Sequence, residues 1–256
     1  MSSNTQRFDG RAEDYDRFRQ RYPAEAVLMR LREWCGLTPQ HLVADIGAGT
    51  GMLTEVFLAN GNPVIAIEPN SDMSAICLRL QTPSSSFTIV DATAEATTLP
   101  KHSIDLVAAG RAFHWFDRDR ALAEFRRILK PDGWVTLVSI GRAKNDSQQS
   151  TDFERLLVDY GTDYTYVRAG YRVHEDLHAL FTRDWHQEQI PGKLALSWEA
   201  FFGHAMSLSM TPKPADPRFP PFLQALEAFF HRYATNGILT LPTVCWISAG
   251  RFVSSR

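Results

Sequence analysis

The sequence predicts an α/β fold, a Rossmann-like, mainly parallel sheet with helices on both faces. Three observations predict it. Short apolar runs alternate with helical patterns through the first half of the chain. The runs are nearly unbroken, as strands buried on both faces require, rather than alternating apolar and polar. Gly47, Gly49 and Gly51 crowd the passage from the first run into a helix, the place where such sheets receive ligands.

Taken in order, Pro23 sets the first turn of a helix, in which Val27, Leu28, Leu31 and Trp34 recur at helical spacing and Gly36 makes the stop. "HLVADIG" reads as the first buried strand and "MLTEVFLAN" as a helix stopped by Gly61. "PVIAIEP" is the second strand. A helix over "SDMSAICLRL" follows, opened by a Ser71 or Asp72 cap. "SFTIVDA" and "SIDLVAAG" are the third and fourth strands. "RDRALAEFRRILK" is amphipathic, with Leu122, Phe125 and Leu129 on one face. Pro131-Asp132-Gly133 is a turn before a fifth strand, "WVTLVSI". After Gly141 the rhythm breaks. Residues 145–235 carry aromatic helical patterns (Trp198, Phe201, Phe202; Phe222, Leu226, Phe229, Phe230, Tyr233), separated by the proline-rich loop "MTPKPADPRFPPF". "LPTVCWISAGRF" returns as a strand. The expectation is a single domain over 1–256. Its core is about 37–142 and 236–256, and its lid comes from 1–36 and a mostly helical 145–235 insertion.

Composition narrows the function. Lys and Arg total 27 against 29 Asp and Glu, a net charge of -2, so no global field draws the chain to nucleic acid. Arg7, Arg11, Arg17, Arg19 and Arg21 cluster near the start, but Asp9, Glu13, Asp14 and Asp16 lie among them. They read as a solvated, locally neutral face. Cys35, Cys77 and Cys245 are sparse and odd in number, which suits a reducing compartment rather than a disulfide framework. No apolar run approaches the ~18 residues of a membrane span. The expected setting is cytoplasmic, with a small-molecule partner and neither nucleic acid nor membrane.

The glycine loop reads D-x-G-x-G-x-G, with Asp45 leading and Met52 where a dinucleotide fingerprint has its third glycine. The second strand ends in Glu68, 21 residues after Gly47. An ionised carboxylate accepts both hydroxyls of a ribose, and that geometry suits either an adenosyl group or NAD. The third strand ends in Asp91-Ala92. Together with "GRAFHWFD", "ALAEFRRILKPDGWVTLV" and "RFDGRAEDYDRFRQRYP", these segments resemble the class I S-adenosylmethionine-dependent methyltransferases, type 11 small-molecule branch. The resemblance covers residues 8–141 well and 239–251 loosely. It implies a seven-stranded sheet of order 3-2-1-4-5-7-6 with strand 7 antiparallel. It also implies S-adenosylmethionine as cofactor and S-adenosylhomocysteine as product. Asp45, Gly47, Ala48, Gly49, Thr50 and Gly51 are then beside the methionine portion. Glu68, Pro69 and Met73 follow at the second strand, and Asp91 and Ala92 at the adenine. Tyr15 and Arg19 hold the positions that close over the cofactor, although Gln20 stands where the family has proline.

Several side chains are candidates for the chemistry. Phe113-His114-Trp115-Phe116 follows the fourth strand, where a substrate would meet the methyl group. His114 titrates near neutrality and is either an orienter or base for the nucleophile or a structural histidine. Trp115 is counted with it. Arg111 and Arg19 would neutralise an acidic group on cofactor or substrate. Ser207 and Ser209, in "SLSMTP", resemble a turn that faces substrate in this branch, and either also suits a helix-end cap. "HEDLH" at 174–178 matches a zinc-peptidase pattern, but Asp176 and the lack of a third ligand downstream argue against it, so no metal is expected. The alternatives are a non-catalytic cofactor-binding partner subunit and an NAD-dependent oxidoreductase.

Overall fold

A computed structural model describes residues 9–83, 86–143, 146–162, 164, 181 and 183–252. Helices α1 (Ala12–Phe18) and α2 (Ala24–Cys35) lead into β1 (Val43–Ile46), α3 (Met52–Ala59), β2 (Val64–Ile67), α4 (Ser71–Cys77) and β3 (Phe87–Val90). β4 (Ile104–Gly110), α5 (Arg118–Ile128) and β5 (Leu129–Arg142) complete the alternating half. Then come α6 (Gln148–Tyr160), β6 (Arg183–Leu196), α7 (Trp198–Met206), α8 (Phe219–Tyr233) and β7 (Leu239–Arg251). The seven strands form one sheet of order β3-β2-β1-β4-β5-β7-β6. β7 runs antiparallel to both β5 and β6, and the remaining pairs are parallel. No helix among the described residues is long and apolar enough to cross a membrane.

β1 lies at the centre, between β2 and β4, and all four of its residues are buried. Val27, Leu31 and Phe57 of α2 and α3 cover one face of the sheet. Phe125 and Ile128 of α5 cover the other, against Ala44, Ile46 and Val107. α2 thus belongs to the core layer, because its apolar stripe meets Cys245 and Ile247 of β7. α1 reaches the cap, where the Phe18 ring fills the space left by Gly203 on α7. The cap has its own core of stacked rings. Phe201 lies 5.7 Å from Phe229 and 6.0 Å from Phe230, and Phe153 lies 5.0 Å from Phe229.

Four local expectations change. Asn70 rather than Ser71 or Asp72 caps α4, its Oδ1 accepting from the Met73 N–H at 3.0 Å. Pro131-Asp132-Gly133 is a bulge inside β5: the pairing jumps from Ile104–Leu129 to Leu106–Trp134, so strand, not turn, surrounds it. Pro220 and Pro221 open α8 instead of ending a loop, since proline at the first helical positions loses no hydrogen bond. Within the segment expected to be helical, β6 is a 14-residue strand paired only with β7. Residues 174–178, with the "HEDLH" pattern, lie outside the described residues.

Arg11 is buried, not part of a solvated face. Its Nη1 donates to the carbonyls of Met206 at 3.0 Å and Leu208 at 2.7 Å, and its Nη2 donates to the carbonyl of Thr211 at 2.9 Å. The guanidinium therefore closes the C-terminal end of α7, where carbonyls lack helical partners and the dipole favours a cation. Arg11→Met should strand these buried acceptors and cost about 3 kcal/mol. A fall in melting temperature of roughly 6–10 °C is expected by calorimetry; an unchanged transition would show the clasp to be dispensable.

A second buried charge sits in β1 itself. Asp45 is fully buried, with Oδ2 accepting from Thr54 Oγ1 at 2.6 Å and Oδ1 without a partner. Burial, against the opposing Thr54 bonds and with the Glu68 carboxylate nearby, raises its pKa from 3.8 to about 7. The fold therefore favours the protonated acid. That stabilisation is complete below pH 4 and is lost as pH rises to 7, a span worth roughly 4 kcal/mol. Asp45→Asn keeps the acceptor for Thr54 and cannot ionise. Its stability advantage over the wild type, read by denaturant titration, should grow between pH 4 and 7 and then level off. An advantage equal at pH 4.5 and pH 8 would refute the assignment.

Candidate active site

The cleft opens where the strand order turns back on itself, at the carboxyl ends of β1, β2, β3 and β4. It encloses about 940 Å³, part of it open to solvent. The segment after β1 supplies its floor. Gly47, Gly49 and Gly51 all have positive φ, 67°, 60° and 86°, which side chains other than glycine adopt at a cost. Their surroundings differ. A Cβ on Gly47 would lie 2.6 Å from the Ala112 Cβ, and one on Gly51 would lie 2.8 Å from Cys77 Sγ. These two glycines let the loop pack against protein. A Cβ on Gly49 would meet no atom within 4 Å, so of the three this glycine alone has its Cα side facing open space.

The loop is pinned by Glu68. Its Oε2 accepts the Gly49 N–H at 2.8 Å, and its Oε1 accepts the Asn70 N–H at 2.8 Å. Burial raises the carboxyl's pKa, against these two backbone bonds, and Asp91 nearby adds to the rise. Two of the carboxylate's four acceptor directions remain available for a ligand. Beside it, Thr50 is buried and its Oγ1 has no partner. Such an orphan is expensive unless a ligand satisfies it.

Of the side chains singled out from sequence, Tyr15, Ala48, Thr50, Glu68, Pro69 and Met73 line the cleft, with Gly47 and Gly49. So do Arg111 and Trp115. Asp45 lies beneath, bonded to Thr54. Gly51 caps α3 against Cys77 and Leu80. Asp91 is exposed and Ala92 buried, just past β3, and the wall there is made instead by Thr93, Ala94 and Glu95. Arg19 is not in the wall; its guanidinium lies 5.0 Å from the centre of the Tyr15 ring. His114 is not in the wall either, and its ring sits 4.3 Å from Trp115. Ser207 is fully buried and donates to the His204 carbonyl at 2.6 Å at the end of α7, while Ser209 is half-buried. The cap role is the one the structure gives Ser207.

Sequence reading missed Tyr22, Asn70, Thr93–Glu95 and Phe116 as wall residues. Asn70 was open to detection, since asparagine immediately before Ser-Asp is an N-cap signal. Tyr22 carried none. It is buried, and its hydroxyl fills the space left by Gly110. Burial pushes its pKa up, with Arg111 opposing. Arg111 has φ 55°, a left-handed backbone outside glycine, which costs about 1–3 kcal/mol. That turn places its Nη2 on Met52 Sδ at 2.9 Å and its guanidinium 5.1 Å from the Tyr22 ring and 5.6 Å from Tyr15. Burial raises the Tyr15 phenol, but Arg111 and Arg19 outweigh it and bring its pKa below the usual tyrosine value.

These features fit S-adenosylmethionine. The open Cα side of Gly49, the orphan Thr50 hydroxyl and the half-committed Glu68 carboxylate are adjacent, and Pro69, Met73 and Ala94 offer an apolar bed for a flat base. Comparison with known proteins agrees. Residues 44–137 match the methyltransferase domain family. An uncharacterized methyltransferase of Mycobacterium bovis is 36% identical over 124 residues, 48% of this chain and 48% of its own. The chain thus spans about half the length of the curated relatives it matches. A structure from Anaeromyxobacter dehalogenans assigned as a type II methyltransferase superposes with a TM-score of 0.65 at 25% identity, over 91% of this chain and 98% of that one. Phosphoethanolamine N-methyltransferase 2 of Haemonchus contortus, solved with phosphomonomethylethanolamine and S-adenosylhomocysteine, shares the fold at 15% identity and a TM-score of 0.56, over 98% of this chain and 59% of that one. The family match covers the glycine-loop half and the sheet order accompanies it, so over residues 44–137 the chain is similar to the type 11 methyltransferases.

Proposed function

We propose that the protein transfers a methyl group from S-adenosylmethionine to a small-molecule acceptor. The observation that carries this reading is the Glu68 carboxylate, bonded to Gly49 and Asn70 beside the open space where a Cβ on Gly49 would meet no atom. When bound, S-adenosylmethionine supplies a methyl group already activated by its sulfonium.

The chain's own residues then have three tasks. Binding falls to the loop main chain between Gly47 and Thr50, to Glu68 as acceptor for ribose hydroxyls, and to Pro69 and Met73 as flanking apolar surface. Exclusion of water falls to Tyr15, Tyr22, Trp115 and Phe116, whose rings wall the cleft. A drier site lowers the local dielectric and favours a step in which charge is dispersed. Orientation of the acceptor falls to the side chains on the cap side of the wall, and a displacement in line with the breaking bond needs the nucleophile held at roughly 3–3.5 Å. Trp115 joins wall to cap, since it also packs against the Phe201 and Phe229 cluster. His114 reaches the cleft through Trp115, so we assign it to positioning the indole rather than to proton transfer. The near-neutral charge and the walled cleft favour a small acceptor over RNA or protein. The cytoplasmic setting is part of this reading.

Titration calorimetry tests it. S-adenosylhomocysteine should bind the purified protein, and Glu68→Gln should weaken it by about 1.5–3 kcal/mol, the worth of hydrogen bonds to a charged group. NAD should give no heat. Tight NAD binding with none for S-adenosylhomocysteine would overturn the proposal.

A further inference from the structure

β4 ends at Gly110, and the strand breaks immediately after it. A Cβ on Gly110 would lie 2.7 Å from the Tyr22 hydroxyl and 3.1 Å from Leu53. The notch left by the missing side chain lets a phenol from the segment between α1 and α2 reach the carboxyl end of the central strands. Tyr22 is 7% exposed and packs into the same core cluster as Leu28 and Leu53.

The residue after the notch is Arg111. Its N–H still donates to the Val138 carbonyl of β5 at 3.0 Å, but its φ of 55° ends the extended backbone. The side chain comes back over the start of α3, with Nη2 2.9 Å from Met52 Sδ. There its guanidinium lies 5.1 Å from the centre of the Tyr22 ring and hydrogen-bonds to the Tyr22 phenol. Tyr22 and Arg111 both line the cleft. A phenylalanine ring would cover the notch as well as a tyrosine ring does. Only the hydroxyl oxygen gives the guanidinium an acceptor.

The cleft has a direction. Pro69, Met73 and Ala94 form its apolar bed, and Glu68 stands next to that bed. From Glu68 the floor runs along the loop from Gly47 to Thr50 toward Met52, the first residue of α3. Arg111 stands at the Met52 end. A ligand with its base on the bed and its ribose at Glu68 brings its amino-acid end to Arg111. We propose that Tyr22 is a positioning residue: its hydroxyl holds the Arg111 guanidinium at the Met52 end of the cleft, where Arg111 receives the carboxylate of the methionine-derived cofactor. A guanidinium meets a carboxylate through charge-assisted bonds that depend on the orientation of its planar fork. A hydroxyl that fixes the fork therefore acts on the ligand through Arg111.

This inference rests on the methyl-transfer reading, and its test separates the two. The probes are S-adenosylhomocysteine and decarboxylated S-adenosylhomocysteine, which lacks only the carboxylate. Each is titrated calorimetrically into the full chain, and the readout is the ratio of the two affinities. The wild type should prefer S-adenosylhomocysteine by roughly tenfold or more, the scale of one charge-assisted contact. Tyr22→Phe keeps the buried ring and should cut that ratio by about fivefold, the scale of one hydrogen bond. Arg111→Gln should remove the preference, and adding Tyr22→Phe to Arg111→Gln should change the ratio no further. Gly110→Ala displaces the hydroxyl from the other side and should lower the ratio in the same direction, so the test does not hang on one variant folding. A phenol that serves only as wall would weaken both ligands alike, and an unchanged ratio in Tyr22→Phe would overturn the proposal. So would a ratio that falls as far again in the double variant, an Arg111→Gln protein with the full preference, or a wild type that binds both ligands equally. A wild type that binds neither ligand would instead remove the methyl-transfer reading.

Discussion

The Glu68 carboxylate is the joint on which the site depends. One oxygen holds the Gly49 N–H and the other holds the Asn70 N–H, so a single side chain fixes the turn after β1 relative to the turn after β2. Asn70 carries the tie onward. Its side chain caps α4 through Met73 and donates to Asp9 at 2.7 Å, while Gly10 donates to Asp72 at 3.0 Å. The N-terminal segment that leads into α1 is therefore hydrogen-bonded to the start of α4, just after Glu68. The cleft floor and the N-terminal segment are thereby joined through side-chain hydrogen bonds.

That coupling explains why buried charge is tolerated here. Asp45, Glu68, Arg11 and Arg111 all lie in or under the cleft and its lid. Uncompensated charges of this kind cost several kcal/mol each. Glu68 is offset by two backbone donors, and Arg11 by the carbonyls at the end of α7. Asp45 is offset by Thr54 and by its readiness to stay protonated. Arg111 is offset by aromatic faces and a sulfur. The contacts seen at Glu68 and Arg11 are with main chain, and those at Arg111 are with rings and a sulfur.

The sequence made the alternating half legible, and the reason is physical. β1, β2 and β4 are buried on both faces, so their runs of Val, Ile, Leu and Ala stand out. The helices between them carry an apolar stripe and end where Gly36 and Gly61 adopt positive φ. β6 was not legible. "RDWHQEQIPGKLAL" is polar, and it includes Pro191 and Gly192, which lower strand propensity. It survives as a strand because it is the sheet's edge and pairs on one side only, with Pro191 opposite Val244. Arg11 was illegible for another reason. Among acidic neighbours it reads as solvated, and its actual partners lie 195 to 200 residues away. The glycine motif located the site, but it did not reveal that only Gly49 faces open space while Gly47 and Gly51 serve packing.

The floor and the cap are held in place by different constraints. The floor is made by residues that follow parallel strands, and their positions are set by sheet register. The roof is made by α1, α7 and the rings that Trp115 meets in the cap, none of which the register fixes. Phe18 seated against Gly203 and Arg11 clasping the end of α7 hold that roof in place. The roof contacts are separate from the bonds that Glu68 makes to Gly49 and Asn70. Arg19 follows the last turn of α1 and lies against the Tyr15 ring that walls the cleft.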